Sequence, residues 1–221
     1  LRPIPTGQVT KNQALFFGIL LSIGSISLLY YSSNLMSASL LLLTICFYFF
    51  IYTVWLKRRT PQNIVIGGAA GALPPVIGWT IATGSLSLEP LILFLIIFLW
   101  TPSHFWALSI YKSKDYKKAK IPMLPIIYGI EKTKKNIFIY SLLMLPTISA
   151  PYYMSFLSKI YFYPTLALTI YYIYLCGTLL KVKKSKEVNT LARKIFLYSI
   201  FYLFVIFLLI LSDHFLMRFY G

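Results

Sequence analysis

Residues 104–125, HFWALSIYKSKDYKKAKIPMLP, end a long apolar run and place one carboxylate, Asp115, among Lys112, Lys114, Lys117, Lys118 and Lys120. The chain has only five acidic residues, so the position of this one matters. A carboxylate beside many ammonium groups fits two descriptions. One is an exposed ion pair of little energetic weight. The other is a Mg²⁺ ligand, because Mg²⁺ is commonly held by one or two carboxylates together with substrate phosphates. A lone carboxylate is a weak metal site and needs partners elsewhere in the protein.

A second segment, YTVWLKRRTPQN at 52–63, sets Lys57, Arg58 and Arg59 directly after an apolar run. The plain reading is a cationic anchor at a membrane surface. The chemical reading is an anion site. Arginine suits bidentate phosphate contact, lysine supplies a point charge, and Asn63 opens a glycine-rich helix whose first amides would add donors.

If the helix carrying His104 continues past the membrane, positions 104, 108, 111 and 115 share one face at ~100° per residue. His104, Tyr111 and Asp115 then form a stripe from the apolar interior to the basic mouth, with His104 and Asp115 roughly 16 Å apart. An ionisable ring inside an apolar run is a functional candidate. Its ordinary alternative is a histidine hydrogen-bonded to a neighbouring helix. After Asp115, Ile121-Pro122-Met123-Leu124-Pro125 stiffens the loop, since proline fixes φ and biases the residue before it to extended backbone. There is no metal-binding Cys/His cluster, phosphate-loop motif or hydrolase triad signature.

The elements that must position these groups are membrane helices. The chain is 58% hydrophobic over 221 residues, with 18 Tyr and 17 Phe. Apolar stretches near the length that spans a bilayer recur, and the two-residue alternation of a membrane β-barrel is absent. Seven spans are predicted, about 12–30, 34–54, 63–83, 88–110, 135–155, 161–181 and 194–217. The third contains Gly67-Gly68, Gly71, Pro74-Pro75 and Gly78; its prolines should kink or break it, and its small residues permit close helix approach. Cys46 and Cys176 sit inside apolar runs and read as core residues.

The net charge of +16 is not spread evenly. Nineteen of the 21 lysines and arginines fall in 1–11, 55–62, 111–135 and 181–194, which alternate spans place on one side. The other side holds Lys159, Arg218 and the acidic Glu89. The positive-inside rule makes the first side cytoplasmic, or matrix in a mitochondrion. Topology and attraction to anionic lipid therefore account for the charge in place of nucleic-acid binding.

The stretches RPIPTG (2–7), YT-x₃-KRRTPQNIVIGGAAGALPPVIGW (52–79), WTPSHFWALSIYKSKDYKKAKIPMLP (100–125) and Tyr128-Gly129 occur in the order found in the protohaem IX farnesyltransferases. These are a branch of the UbiA-type intramembrane prenyltransferases, and the chain resembles them over residues 1–129; beyond that it matches in hydropathy. The resemblance implies an all-α bundle of about nine helices, of which seven would lie here, in a single domain covering 1–221. The first one or two helices and the family's first acidic motif are expected before Leu1. It implies farnesyl transfer from farnesyl diphosphate to haem B, giving haem O and diphosphate, with Mg²⁺ as the expected cofactor and Asp115 as one ligand.

On this resemblance His104, Tyr111 and Asp115 are the catalytic candidates. Lys57, Arg58, Arg59, Asn63, Lys112 and Lys114 would bind the diphosphate, and Tyr52, Trp106 and Tyr116 would line the haem and prenyl pocket. His104 would orient haem, ligate its iron or handle a proton. The setting implied is the inner membrane of a bacterium, with a mitochondrial inner membrane as the lesser alternative. Contact with haem A synthase or a terminal oxidase is a further expectation. The sequence leaves two other functions open: another UbiA-type prenyltransferase with an aromatic acceptor, and a membrane transporter whose broken third span lines a pathway. The His104-Phe105-Trp106 sequence and the single Asp115 favour the haem branch.

Overall fold

Local sequence sets where the first helices begin. Thr10 caps α1 (Lys11–Ser32): its hydroxyl accepts from the Gln13 amide, while the Gln13 side chain accepts from the Thr10 amide. The reciprocal pair satisfies two otherwise free N–H groups. Asn34 caps α2 (Leu35–Cys46) in the same way through the Ser37 amide. The computed structural model describes residues 3–220, with side chains to Met217; Arg2 and the side chain of Arg218, both counted with the basic residues, lie outside the described residues.

The second span changes its winding at Phe47. From Phe47 to Leu56 it is a π-helix, and nine of those ten residues are aromatic or β-branched. Such side chains crowd the i+3 and i+4 neighbours of an α-helix, and the wider winding separates them. The third span is broken as its prolines require, into α3 (Asn63–Ala72) and α4 (Pro74–Thr83), with Leu73 between them. Gly84 then ends α4 in the left-handed region, at φ 68°, where glycine carries no Cβ penalty.

Next come α5 (Leu88–Tyr111), the short α6 (Ser113–Lys118) and α7 (Leu124–Ile127), and then α8 (Gly129–Tyr153), α9 (Lys159–Lys181) and α10 (Ser185–Tyr220). Among the described residues there is no strand. Helix α5 lies at the centre and packs against α3, α4, α8 and α10, while α9 closes the group against α8 and α10. The buried core therefore runs through α5, α8, α9 and α10. Helix α1 packs on α2 and buries none of its own residues.

Short polar side chains bind the core helices to one another. Ser103 meets the Tyr172 hydroxyl at 2.7 Å, and Thr169 meets that of Tyr202 at 2.9 Å. Such bonds hold helices together where lipid offers no hydrophobic drive between them. Gly68 lets α3 approach α5: a Cβ there would lie 2.9 Å from the Thr101 methyl.

Six helical stretches are long and apolar enough to cross a membrane: Lys11–Ser32, Leu35–Leu56, Asn63–Thr83, Leu88–Tyr111, Lys159–Lys181 and Ser185–Met217. The span expected at 135–155 is present as α8. It falls outside that group because Asn136, Thr147, two prolines, two serines and three tyrosines dilute its apolar run. The all-α polytopic architecture stands, with α8 packed against both α5 and α9.

Candidate active site

The expected continuous stripe from His104 to Asp115 is interrupted. Helix α5 ends at Tyr111, Lys112 leaves helical geometry at φ −103° and ψ 22°, and α6 restarts at Ser113. His104, Leu108 and Tyr111 keep their common face, but Asp115 rides on a separate helix. No glycine or proline announces this break, so spacing alone gave no warning of it.

The first basic cluster is built at the end of the π-helix. There the Lys57 amide bonds to the Tyr52 carbonyl at 2.8 Å, an i to i+5 bond. The Lys57 ammonium lies 5.8 Å from the centre of the Tyr52 ring. Asn63, 1% exposed at the head of α3, donates its side-chain amide to the Lys57 carbonyl at 3.2 Å and fixes the KRR turn. The Tyr52 ring also stands where a Cβ on Gly67 would be, only 2.5 Å from one of its carbons. Tyr116 of α6 is within electrostatic reach of Tyr52. Arg58 and Arg59 beside them are exposed and make no ion pair among the described residues.

On α6 itself, Asp115 pairs with Lys112 at 3.6 Å, with both side chains about half or more exposed. Lys112 and Arg193 of α10 both lie over the Tyr111 ring, at 5.2 and 5.7 Å. A polar cavity of about 310 Å³ opens here between Tyr111, Lys112, Ser113, Lys114, Asp115 and Asn189. Arg193 entered the sequence reading only as a topological charge, and Asn189 not at all. Their signal was the helical spacing of 189, 193 and 196 on α10.

Below this mouth, His104 is 7% exposed. Its Nδ1 is 2.6 Å from the Ser199 hydroxyl, and its ring is stacked between Trp100 at 4.2 Å and Phe196 at 4.7 Å. The hydrogen bond to a neighbouring helix is thus present. It occupies one ring nitrogen and leaves Nε2 without a hydrogen bond among the described residues. Trp106, expected to line the pocket, is instead 1% exposed in the core, edge-on to Tyr140 of α8 at 5.3 Å.

The loop after α6 is held down by its own apolar residues. Met123 and Leu124 are buried, so IPMLP anchors the return from the mouth to α8.

No group of three or more His, Cys, Asp or Glu capable of holding a metal occurs among the described residues. The donors that do occur are the Asp115 carboxylate and the Asn63 Oδ1, an acceptor buried without a partner. Both are hard oxygens of the kind Mg²⁺ takes, and a Mg²⁺ held mainly by diphosphate and water needs few protein ligands. Of the two, the exposed Asp115 carboxylate fits such an ion on those terms, while the Asn63 oxygen is buried at the head of α3.

A polytopic helical bundle with cations, tyrosines and a carboxylate gathered at one end defines a membrane enzyme acting on an anionic, apolar-tailed substrate. Residues 1–214 match the UbiA prenyltransferase family, and the chain belongs to it. It is 64% identical over 213 residues to the protoheme IX farnesyltransferase of Pelagibacter ubique, covering 96% of this chain and 70% of that protein. It is 47% identical to that of Parvibaculum lavamentivorans, covering 96% and 67%. In fold it is similar to a solved digeranylgeranylglyceryl phosphate synthase, with TM-score 0.77 at 21% identity over 96% of this chain and 73% of that one.

Proposed function

We propose that the chain transfers a farnesyl group from farnesyl diphosphate to a vinyl group of haem B, giving haem O and diphosphate. The observation that carries this reading is the presence of two basic-aromatic clusters, one around Tyr52 and Lys57 with Tyr116 of α6 in reach, the other around Tyr111 and Lys112 where α6 begins. Family membership sets aside the transporter alternative.

Departure of diphosphate needs its growing negative charge neutralised. Lys57, Arg58 and Arg59 supply the fixed cations, and Asn63, whose own amide and side chain are bonded to the Thr60 and Lys57 carbonyls, holds the turn that presents them. Mg²⁺, when bound, supplies further charge to the leaving oxygens, with Asp115 as its protein ligand. The allylic carbon, once released, is attacked by the electron pair of the haem vinyl group. Water adds to the resulting cation, loses a proton, and completes a hydroxyethylfarnesyl substituent. His104 stands where it can orient the macrocycle through its second ring nitrogen. The protein resides in a bacterial inner membrane with loops 55–62 and 111–134 cytoplasmic, and its haem product passes to haem A synthase or a terminal oxidase.

The test is turnover. Full-length protein in detergent, given farnesyl diphosphate, haem B and Mg²⁺, should yield a haem heavier by one farnesyl group plus one hydroxyl group, identified by mass. Release of diphosphate without that product, or transfer to a quinone precursor instead, overturns the assignment.

A further inference from the structure

The two anionic substrates of the proposed reaction need separate cationic sites. Farnesyl diphosphate carries its charge at one end of a flexible tail. Haem B carries two propionate carboxylates on one edge of a rigid apolar disc. The Lys57 cluster belongs to the α2–α3 side of the mouth. A different set of groups follows the seam between α5 and α10.

At ~100° per residue, Asn189, Arg193, Phe196 and Ile200 fall within about 60° of one another on α10. The contacts confirm that this face meets α5: Arg193 lies over Tyr111, Phe196 stacks on His104, and the Ser199 carbonyl accepts from the Trp100 indole at 2.9 Å. The seam is graded. It starts in the polar cavity of about 310 Å³ bounded by Tyr111 and Asn189. It passes the stacked rings of Phe196, His104 and Trp100. It ends in an apolar groove of about 330 Å³ formed by Trp100 with Ile200, Leu203 and Phe204. From Arg193 to Ile200 this is ~10 Å along the helix.

The carboxylates nearest this stripe are already engaged. Asp115 pairs with Lys112, and Glu187 pairs with Lys184 at 3.5 Å. Arg193 has no ion pair among the described residues, and its guanidinium carbon lies over the Tyr111 ring at 5.7 Å. A guanidinium so placed suits a planar carboxylate, which it can grip through two parallel N–H donors. A disc with carboxylates on one edge and apolar substituents on the other matches the order cation, ring stack, apolar groove.

The geometry points to the α5–α10 seam as the acceptor site, with Arg193 as the positioning residue that takes a haem propionate and Asn189 as a second donor beside it. This rests on the reading of haem B as acceptor. Arg193 thereby sets which way the macrocycle faces, carboxylates to the basic mouth and a vinyl edge toward the interior.

The experiment compares protohaem with its dimethyl ester, which has the same disc and no carboxylate charge. Full-length wild type, Arg193→Gln and Arg193→Lys are titrated with each by absorbance in detergent, and farnesyl diphosphate binding is measured on the same samples. Wild type should bind protohaem about tenfold more tightly than the ester, the worth of one charge-assisted contact near the surface. Arg193→Gln should lose that preference by weakening protohaem alone, Arg193→Lys should recover part of it, and farnesyl diphosphate affinity should stay unchanged in all three. A preference retained in Arg193→Gln, or an equal loss of both haem and farnesyl diphosphate binding, overturns the assignment of Arg193. Failure of wild type to bind either haem overturns the acceptor reading itself, and this site with it.

Discussion

The two ends of the bundle use polar side chains in opposite ways. At the end away from the basic loops, Asp213 is 1% exposed and its carboxylate accepts from both the amide and the hydroxyl of Ser158, capping α9. Nearby elements are tied in the same manner: Asn34 donates to the Thr80 carbonyl at 2.8 Å, and Ser37 meets the Thr80 hydroxyl at 2.9 Å. Each of these groups finds its partner within the chain. At the basic end, Arg58, Arg59, Lys114 and Arg193 face solvent without ion pairs among the described residues. Charge satisfied internally holds helices together; charge left over is available to a ligand.

That contrast predicts a separation of effects. Lys57→Ala in the full-length protein should lower farnesyl-transfer turnover about 100-fold, the scale of losing one charge-stabilising group, while its unfolding temperature stays near wild type. Steady-state kinetics and thermal unfolding in the same detergent check both halves. Asp213→Ala should do the reverse. Losing both hydrogen bonds from the half-buried Ser158 cap to the buried carboxylate should cost about 2–3 kcal/mol of stability, with turnover per folded molecule within about twofold of wild type. A large loss of turnover in the folded fraction of Asp213→Ala would break the contrast.

Gly67→Ala is a smaller and more local test. Its Cβ would meet the Tyr52 ring at 2.5 Å, so the ring and the Lys57 above it must shift. Turnover should fall about tenfold, on the scale of misplaced positioning groups, with haem titration unchanged. The smallest effect belongs to Lys112→Ala. The Lys112–Asp115 pair is 48% and 66% exposed, and its loss should change stability by less than about 1 kcal/mol. A larger drop in unfolding temperature would mean that the basic end, too, is structural.

How much of this was legible depends on whether a feature is local. The span positions were readable because each apolar run is long enough to cross a bilayer, and Pro74-Pro75 announced the break between α3 and α4. The basic end was readable from loop charge. The π-winding of 47–56 was not, because a run of aromatic and β-branched residues reads as an ordinary apolar span and carries no signal for the wider winding. The break at Lys112 lacks a glycine or proline signal. Trp106 shows the limit of residue type: an indole near a candidate site turned inward because α5 is covered on nearly every side. Arg193 was hidden by its own ordinariness, one cation among many until α10 is laid along α5.

The bond between His104 and Ser199 joins residues 95 positions apart, and this has a consequence in time. At synthesis rates of ~5–20 residues per second, Ser199 follows His104 out of the ribosome by roughly 5–20 s. Through that interval α5 has no α10 beside it, and its imidazole and the Trp100 indole lack the partners on which both depend. Polar groups in that position are costly in lipid. The histidine therefore remains an unfinished join during insertion, closed only when α10 arrives.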